Sequence, residues 1–149
     1  MIRQIKNIIA ITVFLICIGL INFAGQNIDI EVRGINAFTF ILIIAVLLQI
    51  IFFIPSFLLK TEKYYDLVGS LTYITIVSLA YFAVENKTII DSIIYFYVMV
   101  WALRLGIYLF RRVRNDGKDV RFEKAKRHFF WFLQYWMGQA LWVSLTACA

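Results

Sequence analysis

Residues 35–59 read INAFTFILIIAVLLQIIFFIPSFLL, a stretch without a single charged side chain. Wound as a helix at about 1.5 Å per residue, it outreaches the roughly 30 Å of hydrocarbon in a bilayer. Pro55, near its end, is expected to kink it where a carbonyl loses its partner. Four other apolar runs lie around it, at 8–23, 67–84, 89–110 and 129–149. The fold class that follows is all-α: a polytopic transmembrane helical bundle of about five helices, forming one domain over 1–149.

Composition agrees with that solvent. Of the 149 residues 62% are hydrophobic and only 16% charged, with a mean hydropathy of +0.81, against roughly a quarter charged in soluble domains. The formal charge of +6 and a pI near 9.5 do not argue for nucleic acid. Eight of the fifteen Lys and Arg fall between Arg111 and Arg127, in one loop flanked by apolar runs, which is a topology signal. Cys17 and Cys148 both lie in apolar runs without metal-ligand spacing, so neither a disulfide framework nor a zinc site is expected.

Arg3 and Lys6 before the first run also resemble the start of a signal peptide. Asn22 and Phe23 spoil the small-residue cleavage pattern before Ala24 and Gly25, which favours a retained helix. Counting Lys and Arg on alternate sides gives twelve on the side of Arg3, Lys6, Lys60, Lys63 and the 111–128 loop, against Arg33 and Lys87 opposite. The expected orientation is amino terminus in the cytoplasm and, after five crossings, carboxyl terminus outside. Tyr64 and Tyr65 suit an aromatic belt, Asp66 suits a helix cap, and Asn115, Asp116 and Gly117 suit a turn before a short basic helix.

At 100° per residue Tyr97, Trp101, Arg104, Tyr108, Arg111 and Arg112 share one sector of the fourth helix. An ionised guanidinium is costly in lipid, so this stripe is expected to line a cavity. Simple packing, with Arg104 snorkelling to the headgroups, is the competing reading. On the fifth helix His128, Phe132, Tyr135, Gln139, Trp142 and Thr146 share a face. Gln139 is its only deep amide, read first as an interhelical hydrogen bond and second as a cavity group. His128, beside Arg127, reads as a headgroup-level residue. Asp66, Gly69, Ser70 and Tyr73 share a sector of the third helix, where Gly and Ser permit close packing.

The loop carries a net +5 from Arg111, Arg112, Arg114, Lys118, Arg121, Lys124, Lys126 and Arg127 against Asp116, Asp119 and Glu123. Topology and anionic lipid explain it; a phosphate-bearing ligand on Arg111, Arg112 and Arg114 is the functional alternative. There is no Gly-rich phosphate loop and no Ser-His-Asp set, and a single His excludes paired-histidine metal sites. The sequon Asn86-Lys87-Thr88 sits in too short a loop to carry weight.

Four ordered motifs carry a family resemblance. Tyr64-Tyr65-Asp66-Leu67-Val68-Gly69-Ser70-Leu71-Thr72-Tyr73, Trp101-Ala102-Leu103-Arg104-Leu105-Gly106-Ile107-Tyr108-Leu109-Phe110-Arg111-Arg112 and Gly117-Lys118-Asp119-Val120-Arg121-Phe122 come first. Phe132-Leu133-Gln134-Tyr135-Trp136-Met137-Gly138-Gln139-Ala140-Leu141-Trp142-Val143 follows them. Together they resemble a bacterial membrane protein family, a domain of unknown function, related to steroid 5-alpha-reductases.

The resemblance implies an all-helical fold of the bacterial inner membrane whose better-known relatives reduce a carbon-carbon double bond with NADPH, or in a neighbouring branch methylate prenylated cysteine. Tyr97, Trp101, Arg104, Tyr108 and Gln139 would then line a cavity for a hydrophobic small-molecule substrate, and Arg111, Arg112 and Arg114 would lie near cofactor phosphates. Steroid reductases carry a tyrosine near the position of Trp101, and the family continues beyond the fifth helix with most cofactor contacts. The chain is therefore expected to match the amino-terminal part of such an oxidoreductase, to be inactive alone and to hold NADPH weakly. The alternative expectation is a non-enzymatic membrane protein that packs with a partner or binds anionic lipid through its basic loop.

Overall fold

The computed structural model describes residues 2–27, 30–32, 34–116 and 119–147. Arg33, Gly117, Lys118, Cys148 and Ala149, and the side chain of Asp116, lie outside the described residues, and with them parts of the charge count and of the expected turn. Five α-helices form: α1 (Ile2–Ala24), α2 (Ala37–Leu58), α3 (Tyr65–Ala83), α4 (Ile89–Asp116) and α5 (Phe129–Ala147). The all-α bundle read from the sequence is the observed fold.

Helices and apolar runs do not share their ends. α1 starts at Ile2 and α4 continues to Asp116, so residues 111–116 of the expected loop are helical. Arg is a good helix former, and hydropathy marks where the hydrocarbon stops, not where the helix does. α2 starts late because Asn36 caps it, its Oδ1 accepting from the N–H groups of Phe38 (3.0 Å) and Thr39 (3.3 Å). Before that cap, β1 (Glu31–Val32) and β2 (Ile35–Asn36) pair antiparallel across Gly34, whose φ of +78° suits glycine. This small hairpin carries no apolar periodicity and was not expected.

α2 runs through Pro55 and ends three residues later, the Leu59 N–H donating to the Pro55 carbonyl at 2.9 Å. Two expected details differ. Asp66 does not cap α3; the N-cap is Tyr64, without a side-chain bond, and Asp66 sits inside the first turn. The expected short basic helix is one 3-10 turn, Ala125–Arg127.

Among the described residues four helices, α1 to α4, are long and apolar enough to cross a membrane. α5 spans 19 residues but carries Gln134, Gln139 and polar-tipped aromatics, which lower its hydropathy. It is nonetheless the centre of the bundle, packed by α1, α2 and α3, while α4 packs extensively on α3 alone. α1 and α4 therefore form the outside, and isoleucines such as Ile9, Ile16, Ile90 and Ile94 stay exposed along them, a surface that lipid covers at no cost.

Small residues set the α3–α4 seam. Gly106 lies against Ser70, whose hydroxyl donates to the Ala102 carbonyl across the seam, the close approach that Gly and Ser allow. Gln49 of α2 donates to Thr72 of α3 at 2.9 Å in a fully buried contact. The aromatic core, Phe53, Phe132 and Trp136, extends into the α4–α5 connection, because Phe122 and Ala125 are buried within it.

Candidate functional site

α1, α3 and α5 run one way and α2 and α4 the other, so the α2–α3 and α4–α5 connections meet at one end of the bundle. There the connection is clamped. Phe122 is 1% exposed and packs on Tyr65 (4.7 Å between centroids) and Tyr135 (4.9 Å). Glu62, also buried, accepts from Lys126 Nζ at 2.6 Å and from the Asp119 N–H at 3.2 Å. Arg121 donates to Asp119 at 2.5 Å and to Asp66 at 3.4 Å, and Arg112 lies 3.7 Å and 3.9 Å from the same two carboxylates.

The hydrogen bonds from the Arg121 guanidinium, with its backbone N–H adding to them, hold the Asp119 carboxyl below the usual carboxylate range against a partial burial that pushes the other way. A depressed carboxylate contributes stability that is full above its unfolded value, about 3.9, and is lost as pH falls through the lower folded value. Thermal unfolding of the chain and of Asp119→Asn in micelles should therefore run parallel from pH 8 to 5. Below about pH 4 the two curves should converge, as the native clamp loses its charge. Divergence near neutrality would contradict this.

Beneath the clamp a cleft of about 550 Å³ opens between α4 and α5, floored by α3. Asp66 and Arg121 stand at its polar mouth; Gly69, Ser70 and Tyr73 form the floor. Trp101, Leu105 and Leu109 are one wall, and Tyr135, Gln139 and Trp142 the other, with Phe14 of α1 behind. Trp101 meets Tyr73 edge to face at 5.1 Å, and the Tyr73 hydroxyl hydrogen-bonds Thr146. The space of Gly69's missing side chain holds the Gln139 amide.

Three buried side-chain polar atoms lack a partner among the described residues: Gln49 Oε1, Trp136 Nε1 and Gln139 Oε1. Only Gln139 lines the cleft. The interhelical hydrogen bond expected of it is not formed by that oxygen.

The expected site residues are brought together in part. From α5, Tyr135, Gln139 and Trp142 reach the cleft, Thr146 joins it through Tyr73, Phe132 is core, and His128 lies 6.0 Å from Trp131 at the basic end. From α4, Trp101 reaches the cleft, while Arg104 and Tyr108 share a shallower pocket with it on the outer side. Tyr97 is 67% exposed and borders neither. Arg104, Tyr108, Arg111 and Arg112 line an outer groove of about 650 Å³. Arg112 is compensated by Asp66 and Asp119, whereas Arg111 and Arg114 are exposed.

Sequence reasoning missed Arg121 as a cleft residue and Phe122 as the anchor of the loop. Phe122 had a signal: it is the one Phe, Tyr or Trp among residues 111–128. Tyr65 also departs from the expected lipid belt, since its hydroxyl donates to the Tyr135 carbonyl at 3.0 Å.

An all-α bundle with four long apolar helices among its described residues defines an integral membrane protein of the polytopic helical class. Residues 52–149, well over half the chain, match the family described as "Protein of unknown function (DUF1295)", and the chain belongs to that family. The match contains every helix that lines the cleft except α1. No curated protein and no solved structure gives a significant match.

Proposed function

We propose that the cleft binds an elongated apolar small molecule arriving sideways from the lipid, and that the chain is the substrate-binding part of an oxidoreductase related to steroid 5-alpha-reductases. The basic end would face the cytoplasm of a bacterial inner membrane. One observation carries this reading: Gln139, whose buried Oε1 has no partner among the described residues, lines a cleft walled mostly by aromatic and aliphatic groups. Buried polar atoms are normally paired, and an exception on a cavity-lining side chain suits a ligand donor. A volume of about 550 Å³ lies within the usual range for small-molecule sites.

NADPH, when bound, would supply a hydride. The exposed Arg104 and Arg111, with Tyr108 and Asn115, form a cationic groove suited to its phosphates. The reading has this chain alone binding substrate without reducing it. Its own groups would orient the substrate: Gln139 on a hydroxyl, Tyr73 and Trp101 on its face, and Asp66 with Arg121 closing the polar end.

The test is Gln139→Leu in nanodiscs, titrated with an isoprenoid alcohol or hydroxysteroid while the fluorescence of Trp101 and Trp142 is followed. Losing one hydrogen bond should weaken saturable binding about tenfold, while removing an orphaned polar atom leaves the melting temperature unchanged or higher. Unchanged affinity, or a fall in both quantities, would mean that Gln139 serves packing alone.

A further inference from the structure

A second pocket, of about 470 Å³, lies at the same basic end but on the opposite side of α5, where α1 meets it. Arg3, Gln4 and Asn7 of α1 line it together with Arg127, His128 and Trp131. The Arg3 guanidinium lies over the Trp131 ring, its Cζ 3.7 Å from the centroid. That stacking fixes the cation in place and leaves its N–H edges for an acceptor.

Among the described residues no carboxylate lines the pocket. Arg3 and Arg127 form no ion pair among the described residues, unlike Arg112, Arg121 and Lys126 across the bundle. Gln4 and Asn7 add neutral hydrogen-bonding groups one turn apart. Phe129 and Phe130, which also line it, are 45% and 38% exposed and continue the site outward. Two unpaired cations, two amides and an adjoining apolar surface at a helix end form an arrangement with a polar and a greasy half.

We propose that this pocket binds the phosphate headgroup of an anionic phospholipid, with Arg3 and Arg127 on the phosphate, Gln4 and Asn7 on the remaining headgroup, and acyl chains along Phe129, Phe130 and α1. The site is separate from the cleft between α4 and α5 and does not depend on what that cleft binds. It would tie α1, which with α4 forms the outside of the bundle, to α5 through a shared lipid. A free phosphate would satisfy the same cations but not the apolar half.

Native mass spectrometry of the full chain, released from micelles containing equal phosphatidylglycerol and phosphatidylcholine, is the test. The chain should retain phosphatidylglycerol preferentially. Arg3→Gln with Arg127→Gln should reduce that preference about thirtyfold, taking each cation near the surface at its usual strength. Lys60→Gln with Lys63→Gln, which removes the same charge elsewhere on the basic end, should leave it within about twofold. Arg3→Lys with Arg127→Lys should keep most of it, which separates loss of charge from loss of folding.

Equal losses in both Gln pairs would overturn the proposal in favour of a diffuse basic surface, as would no preference in the parent chain. Displacement of the lipid by millimolar inorganic phosphate would assign the pocket to free phosphate instead and would equally overturn the lipid assignment.

Discussion

Phe122→Ala should lower stability by about 3 kcal/mol and open the α4–α5 connection to trypsin. The ring is buried against Tyr65, Phe132 and Tyr135, and aromatic truncation in a packed core costs about 3–5 kcal/mol. The lower figure applies because the site lies at the membrane end, where water and headgroups fill part of the void. Arg121, Lys124, Lys126 and Arg127 surround Phe122, so every cleavage site for trypsin in the docked segment depends on this anchor. The measurements are thermal unfolding in micelles and the rate of tryptic cleavage between residues 119 and 128. A loop that is merely a solvated topology signal would be cut at the same rate with and without the ring.

Glu62→Ala should cost about as much by a different route. Its carboxylate is buried and holds both Lys126 Nζ and the Asp119 N–H. Removing one partner of a buried pair costs about 3–5 kcal/mol, because the other charge is left without compensation. Lys126 keeps some access to water, its side chain being 22% exposed, so the expected loss lies near the lower bound, whereas Lys126→Ala strands the more buried Glu62 carboxylate and should cost at least as much. Glu62→Gln keeps an acceptor for the Asp119 N–H and should fall between parent and Ala. Thermal melts of the four proteins, with the Glu62→Ala/Lys126→Ala pair closing a double-mutant cycle, measure the coupling. A coupling near zero would make the pair a surface contact.

The two effects share a consequence. Arg121 stands at the mouth of the cleft because Phe122 and Glu62 hold its segment down, so both variants should also weaken ligand binding. The helices that frame the cleft were legible in the sequence because each is a local apolar run, and the α5 face was legible as a 100° sector. Tyr135, Gln139 and Trp142 reached the cleft from that sector.

The clamp was not legible, because it joins residues 55 to 64 positions apart: Asp66 with Arg121, Asp119 with Glu62, Glu62 with Lys126. No local period encodes such pairs, and in the sequence their charges merge into the basic loop count. The α4 stripe was legible as a sector but not as a split one. Since α4 packs extensively on α3 alone, Trp101 turns to the cleft while Tyr97 and Tyr108 remain on the outside. Which part of an amphipathic face is covered depends on neighbours, and helix periodicity is silent about them.

The most direct test of the central claim is the position of a label. A photoreactive isoprenoid alcohol, equilibrated with the chain in nanodiscs and irradiated, should attach to Trp101, Tyr135 or Trp142 and be displaced by excess unlabelled alcohol. Labelling spread over the exposed isoleucines of α1 and α4, without saturation or competition, would mean that the cleft between α4 and α5 is ordinary lipid-facing surface.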